Sequence, residues 1–125
     1  MRGFMPAGGS TVRLPRQLPF CKAMEILLLG EPMSAREAHR IGLVNEIVPP
    51  EQVMPRAEEL ARKLAANGPV AVRKIKETVL RSVSVSFAEG FAIESENARA
   101  VLATEDAKEG PRAFMEKRPP RYVGR

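Results

Sequence analysis

The chain has 125 residues, of which 44% are hydrophobic and 28% charged, and its formal net charge is +5. These values are typical of one globular domain, and no stretch approaches the roughly 18 consecutive apolar residues of a membrane span. One cysteine excludes an internal disulfide and a cysteine-based metal cluster. The positive charge favours an anionic partner, but a single Tyr and no Trp argue against a stacking platform for nucleic acid.

The start of the chain, MRGFMP, contains no apolar stretch typical of a secretory signal. The lone Cys21 also suits a reducing compartment, where it is expected to serve as a small hydrophobic residue. We therefore expect a cytoplasmic protein with no membrane partner and no nucleic-acid partner.

The first predicted element is a glycine turn at residues 6–9. It leads into a helix whose free amides Ser10 or Thr11 can cap. A second helix is predicted over residues 22–29, and Gly30 is a favoured residue for ending it.

The next segment begins with a capping box, in which Ser34 and Glu37 satisfy each other's amides at the start of a short helix. That helix is predicted to end near Gly42. Residues 44–48 alternate like a short strand, and the prolines at 49–50 stop it. An isolated strand is not stable in water, so this chain is expected to be part of a larger fold.

From Glu51 onward the pattern is helical, with apolar residues at spacings of three and four that place them on one face. Gly68 and Pro69 separate this helix from the next one. The apolar face is expected to need a covering partner. Its residues are Val53, Ala57, Leu60, Ala61, Leu64 and Ala65.

Two further helices complete the prediction. A second capping box, Ser86 with Glu89, starts a helix that runs to Leu102. The last helix is predicted to begin within residues 106–109, with Pro111 in its first turn, where a missing amide proton costs little. The predicted fold is therefore mostly α with one short strand, divided into residues 1–50 and residues 51–125.

Three segments, in this order and spacing, resemble the enoyl-CoA hydratase/isomerase (crotonase) family. Residues 6–16, PAGGSTVRLPR, are similar to the family's P-G-A-G-G-T-Q-R-L-P-R. Residues 23–49 are similar to its stretch from A-M-E-L to G-L-V-x-x-V-V-P. Residues 109–124 are similar to its closing E-G-x-x-A-F-x-E-K-R-x-P-x-x-x-G. The resemblance covers essentially the whole chain.

The resemblance implies the C-terminal part of the α/β (ββα) ClpP/crotonase-like fold and a homo-oligomer, a trimer or hexamer. Family hydratases add water to a 2-enoyl-CoA thioester. Two amides form an oxyanion hole, and two glutamates handle the protons. The second family glutamate lies seven residues before the proline matching Pro6. Counting back therefore passes the first residue of this sequence, and both catalytic glutamates and the oxyanion hole are expected outside it.

Three positions of this chain match functional positions of the family. The Ala7 amide matches a backbone N–H that touches the catalytic water. Phe114 and Lys117 match residues that contact coenzyme A, and their spacing of three predicts one helix face. A Lys ammonium suits a phosphate, and a Phe ring suits adenine or pantetheine. The resemblance implies no metal and no cofactor beyond the coenzyme A thioester as substrate, and His39 has no motif partner.

We therefore expect an acyl-CoA protein that takes part in hydrating 2-enoyl-CoA if the missing N-terminal half is supplied. Isomerase or acyl-CoA hydrolase chemistry is the alternative among enzymes. A truncated, non-catalytic module for oligomerisation or acyl-CoA binding is the alternative of another class. Oligomerisation is expected through the helices after Glu51.

Overall fold

The computed structural model describes residues 3–125, so Met1 and Arg2, at the start where no secretory signal is predicted, lie outside the described residues. The chain divides into two compact units, residues 1–53 and residues 54–125. Each unit is built almost entirely from helices and turns. No helix within the described part of the chain is long and apolar enough to cross a membrane.

The first unit contains three helices, α1 (Ser10–Gln17), α2 (Phe20–Leu29) and α3 (Ala35–Arg40). α1 packs against α2. The end of α2 at Gly30 confirms the prediction, because Gly30 adopts φ 64° and its amide donates to the Ile26 carbonyl.

Two predicted helix starts in this unit differ from the structure. α1 begins at Ser10 itself, so neither Ser10 nor Thr11 caps it, and Gly9 occupies the cap position with φ 95°. Ser34 does accept from the Glu37 amide at 3.1 Å. The Glu37 carboxylate accepts from Arg40 at 2.6 Å and not from the Ser34 amide, so the second hydrogen bond of the predicted capping box is not formed.

The predicted strand at residues 44–48 is wrong: residues 3–125 contain no strand. α3 instead ends in a Schellman motif, with Gly42 in the left-handed region at φ 79°. The amides of Leu43 and Val44 both donate to the Ala38 carbonyl, at 2.8 and 3.3 Å. The start of the segment is therefore tied to a helix end, and the alternating pattern has no ladder to join within the described chain.

A short 3-10 turn, Pro50–Gln52, precedes the helices of the second part. These are α4 (Val53–Ala65), α5 (Pro69–Ser82), α6 (Phe87–Leu102) and α7 (Glu105–Met115). α5 and α6 form the main packed pair.

The predicted starts of α5 and α6 are both confirmed. Pro69 opens α5, and both halves of the Ser86–Glu89 capping box are present in α6. Asn97 on α6, 2% exposed, donates to Thr78 of α5 at 2.9 Å. This buried hydrogen bond fixes how the two helices align.

The predicted start of the last helix needs correction. α7 begins at Glu105, earlier than predicted, because Thr104 caps it by accepting from the Ala107 amide at 3.1 Å. Pro111 therefore lies inside the helix and not in its first turn. A proline there removes one helical hydrogen bond, so contacts made by the side chains of α7 have to offset that loss.

Those contacts come from the C-terminal segment, which folds back along α7. Asp106 is 6% exposed and accepts from the amides of Val123 and Gly124 at 2.7 and 2.9 Å. The ring of Tyr122 lies against Gly110, where an added Cβ would be 3.3 Å from its hydroxyl oxygen. We call residues 118–125 the tail.

Removal of the Asp106 carboxylate is expected to destabilise the protein. Asp106→Ala leaves two tail amides without their acceptor, and we expect a loss of about 1–3 kcal/mol in the free energy of unfolding. The measurement is equilibrium denaturation. The matched control is Glu105→Ala, because Glu105 is exposed and, among the described residues, its carboxylate pairs only with Arg125 at 3.5 Å. A loss of the same size in this control would contradict the role of Asp106.

The buried apolar core is small in both units. The buried hydrophobic residues among those described are Leu18, Ala23, Ala38 and Ala113. The predicted apolar face of α4 is exposed, including Val53 and Leu64 at 50% and 60%. Exposed apolar surface of this extent is typical of a surface that another chain or segment covers.

Candidate functional site

The predicted water-contacting amide, that of Ala7, lies in the first unit at the turn before α1. Gly8 and Gly9 both have positive φ values, 72° and 95°, so the chain turns sharply there. Ser10 donates to the Ala7 carbonyl at 3.3 Å. The hydrogen bonds within residues 3–125 leave the Ala7 amide exposed and unused. It lies three residues before the start of α1, on the side of the positive end of the helix dipole.

An open, largely apolar cavity of about 910 Å³ lies beside this turn, within the first unit. Pro6 and Ser10, on either side of Ala7, both line it. The rest of its wall includes Phe4, Met5, Leu14, Ile26 and Leu28. An acyl chain could occupy a cavity of this size and polarity next to a free amide.

Phe114 and Lys117 lie in the second unit, at the end of α7. Phe114 is 83% exposed, and the other phenylalanines of residues 3–125 are also at least 60% exposed. The prediction that both residues share one helix face is wrong, because α7 ends at Met115 and Lys117 lies beyond it. Lys117 is in the left-handed region, with φ 55°, alone among the non-glycine residues of 3–125.

The left-handed Lys117 closes a Schellman motif at the end of α7. Its amide donates to the Phe114 carbonyl at 3.1 Å, and the Arg118 amide donates to the Ala113 carbonyl at 3.1 Å. The same motif at the end of α3 uses Gly42 at the equivalent position. Lysine costs roughly 1–2 kcal/mol more there than glycine would, because its Cβ crowds the backbone.

The cost of the left-handed lysine identifies it as a functional candidate. Strained backbone is retained where the surrounding structure determines it, and it concentrates at functional sites. The Lys117 ammonium is exposed and has no ion-pair partner among residues 3–125. The strained residue therefore carries an exposed cation at the helix end that also holds the exposed Phe114.

A buried carboxylate lies just before this helix end. Glu109 on α7 is 7% exposed. It accepts from Arg112 at 2.6 Å, from both Nη atoms of Arg118 at 2.6 and 3.1 Å, and from the Arg121 amide at 2.8 Å. Two guanidinium groups and an amide thus compensate one buried negative charge.

These hydrogen bonds determine how Glu109 titrates. Arg118 first, then Arg112 and the Arg121 amide, hold the pKa of the Glu109 carboxyl well below its ordinary value. Glu109 and Glu116 raise the pKa of Arg118. Because the pKa of Glu109 is lower in the folded state, its contribution to stability is complete above the ordinary carboxyl pKa. That contribution is lost only as the pH falls through the lowered value.

Sequence reasoning did not assign a role to Asp106, Glu109 or Arg118. Glu109 and Arg118 both belong to the closing segment that carries the family resemblance. Their separation of nine residues in that segment was the sequence signal that could have indicated a pair. Within the described part of the chain, no group of three or more His, Cys, Asp or Glu residues is placed to hold a metal ion.

Comparison with known proteins gives the class of this chain. The enoyl-CoA hydratase/isomerase family profile matches residues 1–125. An enoyl-CoA hydratase of Mycobacterium tuberculosis is 42% identical over 120 residues, which are 96% of this chain and 45% of that protein. A carnitinyl-CoA dehydratase of Salmonella arizonae is 41% identical over 126 residues, which are 98% of this chain and 48% of that protein.

Solved structures agree with the sequence comparison. The crystal structure of an enoyl-CoA hydratase from Bacillus anthracis matches with a TM-score of 0.95 at 39% identity, over 98% of this chain and 48% of that one. The chain therefore belongs to the enoyl-CoA hydratase/isomerase family, and its fold is the mostly helical C-terminal part of the crotonase fold. It spans about half the length of the curated relatives it matches.

Proposed function

We propose that this chain supplies the coenzyme A-contacting part of a protein that hydrates 2-enoyl-CoA thioesters. The observation that carries the proposal is the left-handed Lys117, an exposed residue at the end of α7 three positions after the exposed Phe114. Glycine would close this helix end with less backbone strain. The strain of a lysine here is therefore explained by a function of its side chain.

Each matched residue has a distinct part in this proposal. Lys117 binds a phosphate of coenzyme A through a charge-assisted hydrogen bond. Phe114 contacts the adenine or the pantetheine arm through its ring. The Ala7 amide donates to the water that is added, and the cavity beside it takes acyl carbons. The groups that deprotonate water and protonate the α-carbon come from outside residues 1–125.

Two further features belong to the proposal. We propose that the protein works as a homo-oligomer, and the exposed apolar face of α4 supports this. We also propose that it works in the cytoplasm. Family chemistry other than hydration, such as isomerisation or thioester hydrolysis, would use the same coenzyme A contacts. A non-catalytic module that only binds acyl-CoA or assembles would also use them. The residues described here favour binding, because the acid/base groups of the family lie outside them.

Two substitutions of Lys117 separate ligand binding from backbone strain. Lys117→Ala removes the ammonium and keeps the strain, so we expect coenzyme A affinity to fall by about 1–2 kcal/mol with little change in stability. Lys117→Gly should weaken binding equally but raise the free energy of unfolding by about 0.5–1 kcal/mol. Relief of the left-handed strain exceeds this value, but glycine also loses more backbone freedom on folding, which offsets part of the gain. NMR titration with coenzyme A and equilibrium denaturation measure the two effects.

The matched control is Lys108→Ala, which removes an exposed lysine from the helical part of α7. Its affinity for coenzyme A should remain that of the unsubstituted chain. Binding that is unchanged in both Lys117 variants would contradict the role proposed for Lys117.

A further inference from the structure

Arg118 is held at both of its ends. Its amide donates to the Ala113 carbonyl at the end of α7, and its guanidinium donates to both carboxylate oxygens of Glu109. Glu109 also accepts from the Arg121 amide, three residues farther along the tail. The residue immediately before Arg118 is Lys117, so the backbone on both sides of Lys117 is fixed.

The Schellman hydrogen bonds alone do not account for a left-handed lysine at this position. At the end of α3 the same two bonds close on Gly42, a residue with no Cβ to strain. At the end of α7 the strain has to be balanced by contacts beyond the motif. Two carboxylates bind the Arg118 guanidinium: Glu116, on the other side of Lys117, accepts from its Nε at 2.5 Å, and Glu109 accepts from both of its Nη atoms. The Glu109 pair is the stronger of the two, because it is bidentate and its carboxylate is shielded from water, whereas that of Glu116 is exposed.

We propose that Glu109 is a positioning residue for Lys117. By holding Arg118 and the Arg121 amide, it keeps Lys117 left-handed and so keeps the ammonium where a coenzyme A phosphate can reach it. This inference rests on the proposed function, since it assumes that Lys117 contacts coenzyme A. Glu109 itself touches no ligand in this scheme, and its effect on binding passes entirely through Lys117.

The test is a double-mutant cycle between Glu109→Gln and Lys117→Ala in the full chain, with coenzyme A as the ligand in an NMR titration. Glu109→Gln is nearly isosteric and lets Lys117 leave the left-handed region. We expect coenzyme A affinity to fall about 3- to 10-fold, since only part of the population stays competent. Lys117→Ala should lower it about 5- to 30-fold. The double variant should bind no more weakly than Lys117→Ala alone.

A second readout follows the backbone directly. The HN–Hα coupling and the Cα and Cβ shifts of Lys117 report a left-handed residue, and Glu109→Gln should move them towards ordinary values. Arg118→Lys provides the same test if Glu109→Gln does not fold, because it keeps the charge but loses the two-pronged contact. Glu59→Gln is the matched control: Glu59 also pairs with two cations, Arg56 and Lys63, but lies on α4. It should change neither readout.

The outcomes separate the two proposals. If Lys117→Ala leaves affinity unchanged, the coenzyme A role of Lys117 is wrong. If Lys117→Ala weakens binding but Glu109→Gln does not, the positioning role alone is wrong. The positioning role would also be overturned if Glu109→Gln lowered coenzyme A affinity by the same factor in the unsubstituted chain and in Lys117→Ala, with Lys117 still left-handed. Glu109 would then be a structural residue only.

Discussion

The 125-residue chain by itself is expected to leave crotonyl-CoA unhydrated. General acid/base groups contribute on the order of 10²–10⁴-fold each, and one oxyanion-hole donor contributes about 10²–10³-fold. The family resemblance places all of these outside residues 1–125. In the proposed scheme the chain supplies the Ala7 amide and, at Phe114 and Lys117, contacts to coenzyme A. These groups would position a substrate but would neither polarise the thioester nor move a proton.

Loss of the conjugated thioester absorbance measures this directly. A full-length family member serves as the positive control, and we expect turnover by the chain to lie at least about 10⁴-fold below it. Turnover within a hundredfold of that control would show that residues 1–125 contain acid/base groups that we have not recognised. Binding of coenzyme A without turnover would fit the proposed division of roles.

The second large expected effect concerns association. At micromolar concentration the chain should sediment as an oligomer, because the apolar residues of α4 are exposed in a single chain. Leu64→Glu places a charge on that face, and we expect it to weaken association at least about 30-fold, since an uncompensated charge buried in an interface costs several kcal/mol. Glutamate is a good helix former, so α4 itself should persist.

The matched control for this change is Gln52→Glu, which adds the same charge at an exposed polar residue just before α4. It should leave the sedimentation unchanged. A compact monomer at the same concentration, or equal effects of the two substitutions, would contradict assembly through this face.

Local sequence patterns predicted some helix ends correctly, although the caps of α1 and α3 and the start of α7 differed from the structure. Gly30 ends α2 and the Ser86–Glu89 box starts α6, because each depends on residues within one helical turn. The strand at residues 44–48 was wrong for a different reason. Alternation shows only that a segment suits a sheet, whereas strand formation needs a partner, and here the first amides bond to the end of α3.

The candidate site was predicted in its residues but not in its geometry. The resemblance located Ala7, Phe114 and Lys117, whose binding roles stay predictions. Helical spacing failed at Lys117, because a left-handed lysine has no local sequence signal: the usual marker of such a helix end is glycine. Asp106 and Glu109 bind tail residues that lie 9 to 18 positions farther along the chain. Helical periodicity does not predict contacts over such separations.

The hydrogen bonds that Asp106 and Glu109 accept also determine how the tail opens. Chain termini ordinarily fray, opening at almost no cost. Here the amides of Arg121, Val123 and Gly124 all donate to carboxylates of α7. Opening of the tail therefore exposes two buried charges on that helix. α7 and the tail thus form one cooperative unit, and the conformation of Lys117, which joins them, is as stable as that whole unit.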